Sequence, residues 1–204
     1  FSLSFYPFLK RVNPLKWSEI YERFNTLIFF ASFVMLGIFF PLSYVIKNWY
    51  IDYIAVIQYL PLFLVMTLMQ SKEQFLHITY MKTLRKEKEL LFINVIFSLI
   101  ALVVLVPLYL VTKKIYWVAF ATSFIVLAKS YTLEFYLRKR NLQLKFNNIL
   151  LELLFIFMFL FFISVSTTYI SLSIFILLVL LMFFIKRIEL IELTKRLYQE
   201  LRTK

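Results

Sequence analysis

Residues 90–112 read LLFINVIFSLIALVVLVPLYLVT and contain no charged side chain. A helix of this length crosses the hydrocarbon core of a bilayer, which is about 30 Å thick. Backbone amides in lipid find partners only within a helix or a closed barrel, so such a run predicts a transmembrane helix. The stretch therefore indicates an integral membrane protein.

Further apolar runs flank this stretch on both sides, over residues 25–46, 52–71, 115–137, 148–166 and 168–186. Together they predict an all-α, polytopic transmembrane helix bundle of about six spans in residues 25–187. Residues 1–24 are expected to form a cytoplasmic linker after a missing span, because the chain starts at Phe1 and not at a methionine.

The composition agrees with a lipid environment. The chain is 62% hydrophobic and 17% charged, with a mean hydropathy of +0.83, whereas a soluble domain has about 25% charged residues. With no cysteine and a single histidine, the sequence predicts no disulfide, no metal site and no other cofactor. No soluble-enzyme motif is present, so we expect a protein that is not an enzyme.

The net charge of +12 does not indicate nucleic-acid binding, because the basic residues cluster between the apolar runs. They lie in the N-terminal stretch, in the connections 72–88 and 138–145, and in the tail. The opposite connections contain only Lys47, Lys113 and Lys114. By the positive-inside rule, both termini are predicted to be cytoplasmic.

Two segments are predicted to be amphipathic helices. Residues 70–81 contain no Gly or Pro and place polar side chains on one face, which predicts one long helix over 52–81. In the tail, residues 188–204 carry leucines at helical spacing and predict a helix on the inner membrane surface. Pro41, Pro61 and Pro107 fall inside three spans, where each forms either a static kink or a hinge.

Polar residues inside spans are the main functional signal, because charges in lipid are costly and usually face a cavity or a partner. In span 115–137, Thr122 and Lys129 are seven residues apart, as are Ser123 and Ser130, and Glu134 follows. This spacing predicts a polar stripe that forms one wall of a substrate cavity. The alternative is that Lys129 extends its ammonium to the inner interface.

The second span contributes further candidates. Lys72, Glu73 and His77 are predicted to line the mouth of a hydrated cavity, or else to form an ordinary solvated helix end. Glu134 and Glu152 have either a functional role or a simple pairing role with nearby basic residues: Arg138, Arg140 and Lys145.

Several short motifs resemble the polysaccharide flippases of the multidrug/oligosaccharidyl-lipid/polysaccharide exporter superfamily. They are Phe5-Tyr6-Pro7-Phe8, the sequence YIDYIAVIQYL at residues 50–60, and the basic turn TYMKTLRKEK at residues 79–88. The resemblance covers most of residues 1–140, and the last two spans match only by position.

The resemblance implies a bacterial cytoplasmic-membrane transporter with two lobes of helices, about 12 to 14 in all, of which this chain is the C-terminal half. It implies alternating-access transport of a lipid-linked oligosaccharide, with membrane lipids, the missing N-terminal half and a coupling H⁺ or Na⁺ as partners. Lys129 and Lys72 would then attract the anionic pyrophosphate head. A drug or ion exporter of the same superfamily stays open. So does a membrane enzyme of polysaccharide assembly, although the short outer loops disfavour it.

Overall fold

A computed structural model of the chain describes residues 9, 17–138, 147–165, 170, 172–181 and 184. All regular secondary structure in these residues is helical, which confirms the predicted all-α class. The chain divides into two compact units, Phe1–Leu153 and Leu154–Lys204.

The first span consists of two helices, α1 (Trp17–Gly37) and α2 (Phe39–Trp49), which meet at Ile38. Pro41 explains this junction, because proline has no N–H to donate to the carbonyl four residues earlier, which belongs to Gly37. The pair still forms one continuous apolar stretch of 33 residues that is long enough to cross a membrane.

The second span is broken near its start. A 3₁₀ segment, Ile51–Gln58, precedes α3 (Leu60–Thr83), and the two are bent by 57°. The predicted single helix over 52–81 is therefore correct from Leu60 onward and wrong before it. Pro61 supplies the physical reason, since it cannot donate to the carbonyl of Ile57 and fits the first turn of a new helix.

The remaining helices follow the predicted apolar runs. They are α4 (Glu87–Thr112), α5 (Ile115–Leu137), α6 (Asn147–Val165) and α7 (Leu172–Leu181). Arg85 ends α3 in the left-handed region with φ 55°, where the N–H of Lys86 bonds the carbonyl of Met81 at 2.8 Å. This is a Schellman arrangement, which ends α3 and turns the chain into α4.

The exposure of α4 agrees with a lipid-facing role. The apolar window of this helix is the most hydrophobic of the candidate spans, yet only 6% of it is buried. Leu91, Val103 and Val111 are 66%, 66% and 83% exposed. A soluble protein rarely exposes so large an apolar face, whereas lipid solvates it.

Within the described residues, three helices are long and apolar enough to cross a membrane, or four if the bent pair is one span. These are Trp17–Trp49, Glu87–Thr112 and Ile115–Leu137, with the 3₁₀ segment and α3 as the bent pair. The described parts of α6 and α7 are shorter apolar helices. The protein thus has the character of a membrane protein, and the count of six spans remains a prediction. The predicted tail helix at 188–204 lies outside the described residues.

The second unit is described by its own contacts. The ring of Phe175 in α7 packs at 6.0 Å from that of Phe155 and 5.8 Å from that of Phe159, both in α6. Aromatic packing of this kind joins two apolar helices without polar groups.

Candidate functional site

The centre of the site is Lys72, a charged side chain that is only 1% exposed. It lies in α3 immediately before a π-helical turn, Glu73–His77, which is a feature frequently found at functional sites. Its ammonium donates to Glu134 Oε2 of α5 at 2.8 Å and to Glu152 Oε2 of α6 at 2.5 Å. One lysine therefore joins carboxylates that are 62 and 80 residues away in sequence.

Arg138 extends this network at the other oxygen of Glu134. Its Nε and Nη2 donate to Glu134 Oε1 at 3.1 and 2.6 Å. Its Nη1 also lies 3.8 Å from Glu22 Oε1 in α1. Glu134 is thus shared between two cations, and the contacts reach four helices. We call Lys72, Glu134, Arg138 and Glu152 the ion network.

A second pair lies beside the network. Lys129 of α5 contacts Glu73 of α3 at 2.7 Å, and the two side chains are 25% and 7% exposed. The ammonium of Lys129 is therefore paired with a carboxylate. The predicted contribution of Lys129 to a cavity wall remains a prediction.

His77 lies next to the network and is completely buried. Its Nε2 is 4.0 Å from Glu134 Oε2, and neither ring nitrogen has a hydrogen-bond partner. Lys72 and Glu73 are buried as well, at 1% and 6% exposed, so the three polar side chains of this segment lie inside the bundle. Their predicted place at the mouth of a hydrated cavity remains a prediction.

Four further predicted or neighbouring polar residues have separate surroundings. Thr122 Oγ1 donates to the Val118 carbonyl of its own helix at 2.7 Å. Ser123 Oγ lies 2.8 Å from the Ala119 carbonyl and 3.4 Å from the Leu62 carbonyl, which places it beside the break at Pro61. Ser130 is fully buried, and its hydroxyl has no partner among the described residues, whereas the Tyr131 hydroxyl lies beside Glu152.

An apolar cluster separates the network from the turn between α3 and α4. It contains Leu76, Tyr80 and Met81 of α3, Leu90 of α4, and Leu133 and Leu137 of α5, with Leu9 and Tyr21 of the N-terminal part. The rings of Tyr21 and Tyr80 meet edge to face at 5.1 Å, and the hydroxyl of Tyr80 donates to the Trp17 carbonyl at 3.3 Å.

The charges of the network balance. Lys72 and Arg138 contribute two positive charges, and Glu134 and Glu152 contribute two negative ones. In a low-dielectric interior, such pairing is what makes buried charge tolerable, and removal of one member is strongly destabilising. A balanced network offers no unpaired cation, so an anionic ligand would have to replace one of the carboxylates.

The described residues contain no group of three His, Asp or Glu side chains placed to hold a metal ion.

The sequence alone understated one member of this site, Arg138. It belongs to the basic connection 138–145 in sequence, yet its side chain is buried. The spacing of Glu134 and Arg138, four residues apart on one helix, is a signal that points to a local pair. Glu152 stands out as an acid within an apolar run, which is itself a functional signal.

Comparison of the chain with protein-family models, with curated proteins and with solved structures finds no match. The resemblance to polysaccharide flippases therefore depends on the sequence motifs alone.

Proposed function

We propose that this chain forms part of a membrane transport protein, with the ion network placed beside the transport path. The observation that carries the proposal is the burial of Lys72 between carboxylates of two other apolar helices. Ionisable residues inside membrane helices are expensive and usually serve ion or substrate pathways. Apolar residues of similar volume would join the same helices at least as stably, so packing alone does not require the charges.

The finer form of the proposal is a flippase that moves lipid-linked oligosaccharides across a bacterial cytoplasmic membrane by alternating access. Its support is the motif resemblance and the concentration of basic residues on one side of about six spans. Lys129 is the residue we assign to the anionic head group, since a quarter of its side chain is exposed while Lys72 is enclosed. The head group would replace Glu73 as the partner of Lys129.

A drug or ion exporter of the same superfamily is the second candidate. The balanced charges of the ion network favour it, because a network of zero net charge does not select an anionic substrate. A neutral or cationic substrate would leave the Lys129–Glu73 pair intact.

Surface glycan in a strain that lacks its own flippase tests the flippase proposal, using the full-length protein and normalising to its abundance. We expect the native protein to restore glycan, Lys129→Met to reduce it, and Lys129→Arg to retain part of it, because the charge survives while the geometry changes. Lys113→Met, in a connection at the opposite end of α5, is the matched control and should be silent.

Failure of the native protein to restore glycan would reject the flippase and leave the exporter. Full export by Lys129→Met at normal abundance would reject an anionic substrate bound at Lys129.

A further inference from the structure

Glu152 is a buried carboxylate with a cation at only one of its oxygens among the described residues. Its Oε2 accepts a hydrogen bond from Lys72, no cation contacts its Oε1, and the residue is 4% exposed. The Tyr131 hydroxyl lies beside the carboxylate. Glu134 differs, because both of its oxygens accept hydrogen bonds from cations. A buried carboxylate oxygen that no cation contacts is costly to keep charged.

Described side chains from three helices, α1, α3 and α5, surround Glu152. Lys72 of α3 contacts it directly, and Tyr131 and Glu134 of α5 are its polar neighbours. Tyr21 of α1 lies within electrostatic range. The Tyr131 ring also lies 5.4 Å from the Lys72 ammonium. Among the residues that the structure describes, the site is therefore enclosed and lined by one cation and one further carboxylate.

We propose that Glu152 Oε1 is a proton-binding site, and that its occupancy decides whether α6 is ion-paired to α3. The ligand is a proton because a proton needs no coordination shell and therefore fits an enclosed site. It also neutralises Glu152, which has only one cationic partner among the described residues. The role of Glu152 as a coupling site rests on the proposed transport function. Proton binding at Glu152 does not itself depend on the substrate.

The charges explain why the proton is tolerated at Glu152. When a hydronium ion transfers its proton, an O–H bond forms at Oε1 and a water molecule is released. Lys72 then keeps Glu134 as its counterion, and Glu134 keeps Arg138, so no ammonium is left without a carboxylate. The Lys72–Glu152 contact becomes a hydrogen bond between a cation and a neutral acid, which is weaker than a charged pair. Protonation thus loosens α6 from α3 without breaking the rest of the network.

Infrared difference spectra of the full-length protein in lipid nanodiscs test this inference. The spectra compare about pH 8 with about pH 5, a range over which a carboxyl group in an unusual environment takes up its proton. We expect a carbonyl band of a protonated acid in apolar surroundings, and we expect Glu152→Gln to abolish it. Glu73→Gln is the matched control, because Glu73 is also buried in a lysine pair but lies outside the ion network, and it should leave the band unchanged.

A band of unchanged intensity in Glu152→Gln, or no such band in the native protein, overturns the inference. If Glu152→Gln does not accumulate in the membrane, Glu152→Asp keeps the carboxyl and must retain the band at a shifted frequency. An unshifted band in Glu152→Asp would assign it to another residue. The spectra require no substrate, so a normal band with no glycan export would reject the flippase and not the proton site.

Discussion

Replacement of Lys72 by methionine is the perturbation whose outcome follows most directly from the contacts. Methionine is unbranched and only one heavy atom shorter than lysine, so the main change is the loss of the charge and its donors. Glu134 retains the two hydrogen bonds from Arg138, but Glu152 loses its one cationic partner among the described residues. The cost therefore falls on a single buried carboxylate.

The magnitude follows from that residue. Removal of one partner of a buried ion pair costs about 3–5 kcal/mol, because the remaining charge is left without compensation. The unfolding equilibrium should shift by a factor of at least about 100. In Lys72→Met/Glu152→Gln both charges are absent, and most of the loss should be recovered, leaving a cost of about 1 kcal/mol.

Lys129→Met is the matched control in the neighbouring pair. Because the Lys129 side chain is 25% exposed, water partly screens the charge, and we expect a loss of only about 1 kcal/mol. The measurement is reversible unfolding in mixed micelles with increasing dodecyl sulfate, followed by the fluorescence of the three tryptophans. If Lys72→Met is no less stable than Lys129→Met, or the double variant no more stable than Lys72→Met, then Lys72 does not compensate a buried charge on Glu152.

Two further predictions concern the connections between helices. Since the chain contains no cysteine, single cysteines at Asn48, Lys113 and Lys88 report topology cleanly. We expect an impermeant maleimide to label cysteines at Asn48 and Lys113 from outside intact cells, and the cysteine at Lys88 only after permeabilisation. Labelling of Asn48 and Lys88 from the same side would show that the bent pair is a re-entrant loop. Arg85→Gly should stabilise the protein by about 0.5–1 kcal/mol in the same micelle assay, because glycine adopts the left-handed conformation of this position without a steric penalty. A loss of stability would mean that the Arg85 side chain contributes more than its backbone costs.

The local features of the fold were accessible from the sequence. The apolar runs 90–112 and 115–137 correspond closely to Glu87–Thr112 and Ile115–Leu137, because a helix in lipid must satisfy its own backbone and its length is fixed by the bilayer. At Pro61 the sequence predicts a kink or a hinge, and the structure has a 57° bend there, but the 3₁₀ segment before α3 is not predicted. A proline within a long apolar run is compatible with a kink, a hinge or the start of a new helix, and the choice depends on the surrounding contacts.

The sequence by itself determined that this is a helical protein of membrane character, and it singled out Lys72, Lys129 and Glu134 as charges in unusual places. Periodicity places such residues on a face of their own helix but says nothing about which helix lies opposite. Only the tertiary structure decided that Lys72 meets Glu152 across 80 residues, that Lys129 meets Glu73, and that Arg138 is buried. The physical reason is that helices in lipid form independently of one another, whereas an ion pair between them depends on the packing of the whole bundle.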